Sequence, residues 1–171
     1  MDAAVASGAG VVRGPSDPGT EAERDLACLA RRAAASVADP EIPTVTIEDI
    51  GVLRGVAVEE GRVVVSITPT YSGCPAMEVI RRDVEQALAT AGIPDAEVRT
   101  VLSPAWTTAW VTERGRRRLA AAGTAPPGEP PRCPRCRAPE PRTVSEFGTT
   151  ACKALLVCSE CGEPFDLFKE L

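Results

Sequence analysis

Two pairs of cysteines set the first chemical constraint. Residues 133 to 136 read CPRC and residues 158 to 161 read CSEC, with twenty-one residues between the pairs. Each Cys-x2-Cys turn brings two sulfurs to one point. Two such turns, at a separation close to the ~15–20 residues of four-cysteine sites, build a tetrahedron for Zn²⁺. Cys133, Cys136, Cys158 and Cys161 are therefore the expected ligands of a structural zinc, and iron in the same cage is geometrically allowed because spacing does not choose between the two. A thioredoxin-type redox pair is disfavoured. That chemistry needs a βαβ setting, whereas this segment offers short strand-like runs, RTVSEF, KALLV and PFDLF.

Two further thiols invite a chemical reading. Cys74 stands in YSGCPAMEVI, between a glycine and a proline where an apolar helix begins. A thiol there faces unpaired amides and the positive end of the helix dipole, which stabilises a thiolate and predicts a depressed pKa. A lone cysteine is as often a small buried residue, and the local chemistry leaves both readings open. Cys152, in TTACKALLVC, reads either as a core thiol on a strand or as an extra functional thiol with Lys153 beside it. Cys28, inside an amphipathic helical pattern, reads as a small filler.

Composition removes many alternatives. The 171 residues contain no histidine, so no Ser-His-Asp or Cys-His pair can form, and any metal must be held by sulfur or carboxylate oxygen. A net charge of -5, with two Trp, one Tyr and three Phe, lacks the basic footprint and stacking surfaces of a nucleic-acid binder. No run approaches the ~20 apolar residues of a membrane span. The start of the sequence shows neither a secretory signal nor a transit peptide, so a cytoplasmic location is expected.

The elements that must position these residues follow from periodicity. Residues 1–20 are rich in Gly, Ala, Ser and Pro and read as a disordered tail. Residues 21–122 read as one α/β domain. Leu26, Leu29, Ala30, Ala33 and Val37 recur at helical spacing and stop before Asp39-Pro40. VLRGVAVEE and RVVVSITPT form a hairpin broken at Gly61. Met77, Ile80, Val84, Ala87, Leu88 and Ala91 stripe a second helix that Pro75 opens and Gly92 closes. A strand AEVRTVLS and a helix TTAWVTERGRRRLAAAG complete the order, with the arginines of ERGRRRL expected on a solvated face. GTAPPGEPP, residues 123–131, reads as a stiff linker holding two modules apart, and residues 132–171 as a ribbon too small to fold without its metal. The expected class is α+β: a small sheet covered by helices, then a small β zinc ribbon.

These motifs carry a resemblance. DPEIP (39–43), the hairpin and TPTYSGCPAM (68–77) resemble the metal–sulfur cluster assembly domain family, whose members help to build or deliver iron–sulfur clusters. With SPAWTTAWVTERGRRRL, GTAPP, CPRC and SEFGTTACKALLVCSECGEPFDLFK in that order, residues 21–171 resemble the family of small D-type accessory proteins associated with phenylacetyl-CoA epoxidase, in phenylacetate catabolism. The resemblance implies an accessory, non-enzymatic role beside a diiron oxygenase and a flavin reductase carrying a [2Fe–2S] cluster. The chain itself has neither Glu-x-x-His ligands nor a G-x-G-x-x-G turn. By the same resemblance Cys74 is the cluster-handling cysteine, with Asp39, Glu41 and Thr70 as its polar neighbours. One thiolate cannot hold a cluster that takes four cysteines, so a transient cluster requires a homodimer, carboxylates or a client's own cysteines. A permanent scaffold subunit of the epoxidase complex is the competing reading.

Overall fold

A computed structural model describes residues 20–169, and the expected amino-terminal tail lies almost wholly outside the described residues. Helix α1 (Glu21–Ala35) opens on a reciprocal cap: the Thr20 hydroxyl accepts from the Glu23 amide while the Glu23 carboxylate accepts from Thr20. It buries Ala30 and Ala34, whose small side chains let the helix lie close to the sheet. Leu29 stays 38% exposed, Val37 falls beyond the helix end, and Cys28 is exposed and not a core filler.

Strands β1 (Leu53–Glu59) and β2 (Arg62–Ile67) form the expected antiparallel hairpin. Glu60 and Gly61 both take positive φ, 52° and 79°, the turn whose twist matches that of the strands it joins. Helix α2 (Ala76–Thr90) then crosses over to β3 (Glu97–Thr100), which lies parallel to β2 in the sheet order β1-β2-β3. A parallel pair needs such a crossover. Ala76, Ile80, Val84 and Leu88, four residues apart, form its buried stripe. They meet Val63, Val65 and Ile67 of β2, together with Val45, Ile47 and Ile50, in one core.

The expected long helix after β3 is interrupted. Thr107 caps a 3₁₀ turn (Thr108–Trp110), and Thr112, whose hydroxyl accepts from the Gly115 amide, starts α3 afresh at Glu113–Ala121. The basic run is not simply a solvated face. Arg114 and Arg118, one helical turn apart, both grip the carboxylate of fully buried Asp49, Arg118 at 2.7 Å, and the Thr112 amide donates to the Asp49 carbonyl at 2.8 Å. Gly115 is packed so tightly against that carbonyl that any Cβ would collide with it.

The proline-rich stretch does not hold two modules apart. Its Thr124 and Ala125 form β4, paired parallel to Asp166 and Leu167 of β7 (Pro164–Phe168). Arg116 of α3 donates to the Pro127 carbonyl. β5 (Arg142–Ser145) and β6 (Lys153–Val157) complete a second sheet, in the order β4-β7-β6-β5. The ribbon also reaches into the first core: Phe168 meets Trp106 edge to face, with ring centroids 5.8 Å apart, and Trp106 Nε1 donates to the Ile50 carbonyl at 2.9 Å. The architecture is the α+β class that the sequence predicts, with the two sheets joined by packing as well as by chain. Among the described residues no helix is long and apolar enough to cross a membrane.

Candidate functional site

The ribbon's two turns present four sulfurs to one centre. The Sγ atoms of Cys133, Cys136, Cys158 and Cys161 all lie within 4.8 Å of one another. Cys133 and Cys161 are 3.7 Å apart, and Cys136 and Cys158 3.5 Å. A tetrahedron with metal–sulfur bonds of ~2.3 Å has edges of ~3.8 Å, so the cage fits a thiophilic cation. The amides of Cys136 and Cys161 point back at the Cys133 and Cys158 sulfurs, each at 3.5 Å, and offset negative charge there. Without a cation the four thiols cannot ionise together. The Cys161 amide, against burial, brings Cys158 down to about 7, whereas Cys136, although the Ala138 amide favours its thiolate, is pushed up to about 12 by the neighbouring sulfurs. A bound divalent cation removes that conflict.

A second constellation lies where the ribbon meets the α/β domain. Cys74 stands in the connection from β2 to α2, at the carboxyl end of the sheet's central strand. The turn before β1 brings Asp39 and Glu41 to the same place. Asp39 Oδ1 accepts from the Glu41 and Ile42 amides at 2.9 and 2.8 Å, so the carboxylate that could serve chemistry first of all shapes its own turn. Asp39, Glu41, Thr70 and Cys74 line one cavity of about 20 Å³, and the ribbon closes it with Cys152, Lys153 and Phe168. All four cluster-handling residues expected from the resemblance are thus brought together, and Cys152 joins them from the other module.

Cys152 is 6% exposed, and its sulfur lies 3.1 Å from the Thr150 hydroxyl and beside that of Thr70. Lys153, 5% exposed, is held by Asp166 at 3.8 Å and Thr149 at 3.4 Å. The sequence hinted at Lys153 only as a neighbour of Cys152. It gave no sign of Phe168, or of Tyr71, whose phenol is pushed up by burial and by Cys74, Cys152 and Glu41.

The electrostatics reverse one sequence expectation. Burial pushes the Cys74 thiol up; the Ala76 amide at the helix start opposes this as anticipated, but Cys152, Glu41 and Asp39 add to the rise, and the net shift is upward. Burial likewise pushes Cys152 up against the Thr150 hydroxyl. Cys74 is therefore a protected thiol. With limiting iodoacetamide at neutral pH, Cys28 is expected to alkylate first and Cys74 only slowly, as peptide mass spectrometry would show. Faster labelling of Cys74 would restore the activated-thiolate reading.

An α/β domain carrying a cysteine at the crossover is joined here to a four-cysteine ribbon, and the comparisons with known proteins match each part to a family. The family described as "Iron-sulfur cluster assembly protein" matches residues 30–103, and "PaaD zinc beta ribbon domain" matches residues 121–169. A crystal structure of the DUF59 domain from Bacillus anthracis, 26% identical, superposes with a TM-score of 0.51 over 57% of this chain and 94% of its own. A protein of Escherichia coli (strain K12), provisionally named as the D component of 1,2-phenylacetyl-CoA epoxidase, is 46% identical over 142 residues, covering 78% of this chain and 86% of that protein. The chain belongs to this family of phenylacetyl-CoA epoxidase D components.

Proposed function

We propose that this chain is an accessory, non-catalytic component of the phenylacetyl-CoA epoxidase that helps to assemble or deliver iron–sulfur clusters to the oxygenase and reductase components. The observation that carries this reading is the placement of Cys74. It lies within the segment matched to the assembly family, in a cavity with Asp39, Glu41 and Thr70. Thiolate sulfur binds iron, and carboxylates can complete its coordination. The ribbon's four cysteines hold zinc, which supplies folding energy to a module whose own buried core, among the described residues, comprises Ala125, Cys133, Ala154, Leu156, Cys158 and Phe165.

Cargo has to be handed over at the cavity mouth. A space of about 20 Å³ exceeds the ~10–15 Å³ that one water needs by little, and it has no room for a preformed cluster of two irons and two sulfides. A cluster therefore takes its remaining sulfurs from a second copy of the chain or from the client's own cysteines.

The test is Cys74→Ser in cells that carry no other copy. Client iron and sulfide and the epoxidation rate are expected to fall towards background, while client abundance and the zinc content of the accessory chain stay unchanged. Wild-type cluster content and rate would overturn the reading. A salt-resistant, stoichiometric complex that stays active with Cys74→Ser would favour a permanent scaffold in its place.

A further inference from the structure

The same cavity carries a more specific chemistry, which rests on the iron-handling reading above. Its walls come from two modules, and each contributes a sulfur: Cys74 from the crossover connection and Cys152 from the start of the ribbon's central hairpin. Both are recessed, the space between the walls is small, and of the polar groups around it Asp39, Glu41 and Thr70 carry oxygens that can bind a cation. We propose that Cys74 and Cys152 together bind one thiophilic divalent cation, ferrous iron in the working protein, so that the ribbon supplies the second sulfur of the iron site.

Charge supports this occupant. Two thiolates neutralise a divalent cation, and the Asp39 and Glu41 carboxylates favour it further, while the Lys153 ammonium is already paired with Asp166 at 3.8 Å. The step involves no change of oxidation state. Two sulfur–hydrogen bonds break, two metal–sulfur bonds form, and two protons pass to solvent. Among the described residues, only the four ribbon sulfurs form a group of three or more donors within 4.8 Å of one another. A cation in the cavity therefore draws its sulfurs from two modules that must close on it, and binding ties the ribbon to the domain. The Thr70 and Thr150 hydroxyls beside the Cys152 sulfur orient it for that closure.

The experiment uses the full chain with its ribbon loaded with zinc, titrated under nitrogen with Co²⁺, whose bonds to sulfur give a charge-transfer absorption in the near ultraviolet. Wild type is expected to take one further equivalent with that absorption while its zinc content stays constant. Cys74→Ser and Cys152→Ser are each expected to lose the absorption, with zinc content and circular dichroism unchanged. Cobalt uptake only as zinc leaves, no further equivalent in wild type, or persistence of the band in Cys152→Ser would each overturn the two-sulfur site. Its failure is separable from failure of the accessory role. A wild-type chain that matures its client yet binds no further cobalt removes this inference alone, whereas normal client clusters with Cys74→Ser remove the cluster-handling reading itself.

Discussion

Cys133→Ser is expected to strip the metal from the ribbon and unfold its sheet while the α/β domain stays folded with its thiol cavity open. The binding energy of a structural four-cysteine zinc is about 10–16 kcal/mol, more than the non-ligand residues of the ribbon's buried core, Ala125, Ala154, Leu156 and Phe165, can replace by burial. The first core keeps Val45, Ile47, Val65, Ile67, Val84 and Leu88, all fully buried and none contributed by the ribbon. It loses Phe168 from the face of Trp106, together with Cys152, so the surviving domain should melt at a lower temperature than it does in the intact chain. Limited proteolysis with zinc quantitation would check this: cleavage is expected beyond α3, leaving a resistant fragment that includes α1 to α3. Loss of the whole chain to protease would show that the two sheets fold as one unit, and retained zinc would show that three sulfurs suffice.

Asp49→Asn is expected to destabilise the α/β domain by about 3 kcal/mol at neutral pH, because it leaves two arginines without the buried carboxylate they share. The guanidinium heads of Arg114 and Arg118 are about half exposed, which places the effect at the lower end for a broken buried pair. Burial alone would push the Asp49 carboxyl up, but the Thr46 amide and the two guanidiniums outweigh it and hold it below the usual carboxylate range. A depressed folded pKa contributes stability that is fully present above the unfolded value of ~3.9 and is lost as pH falls through the folded value. Wild type and Asp49→Asn should therefore differ most near neutrality and converge in acid. Urea unfolding at both extremes measures the gap, and an equal gap at each would show that the charge of Asp49 is not the cause.

Much of this architecture could be read from local pattern. The hairpin at Gly61, the buried stripe of α2 and the two Cys-x2-Cys turns each depend on residues close together in sequence, where spacing maps directly onto geometry. Asp49 and its arginines are 65 and 69 residues apart, and nothing in ERGRRRL says which carboxylate its helix will meet. Thr124 and Ala125 looked like part of a spacer because two residues are too few to show strand periodicity, and only the partner strand β7 makes them a strand. The Cys74 shift failed for a related reason. Position at a helix start is visible in sequence, but the desolvation and neighbouring carboxylates that outweigh it are properties of the assembled cavity. Cys152 was legible as a spare thiol and not as a neighbour of Cys74, because that proximity is created by the docking of two modules.

The order of these residues along the chain also has a consequence in time. The walls that Cys152 and Phe168 add to the cavity lie 78 and 94 residues downstream of Cys74, so at ~5–20 residues per second a ribosome leaves that thiol uncovered for several seconds after it is made. During that interval the nascent chain presents a half-built thiol cavity to the cell, open to metal, to oxidants and to stray partners alike. The metal-binding ribbon that arrives later closes the cavity, so the speed with which it folds on its metal sets how long the sulfur stays in the open.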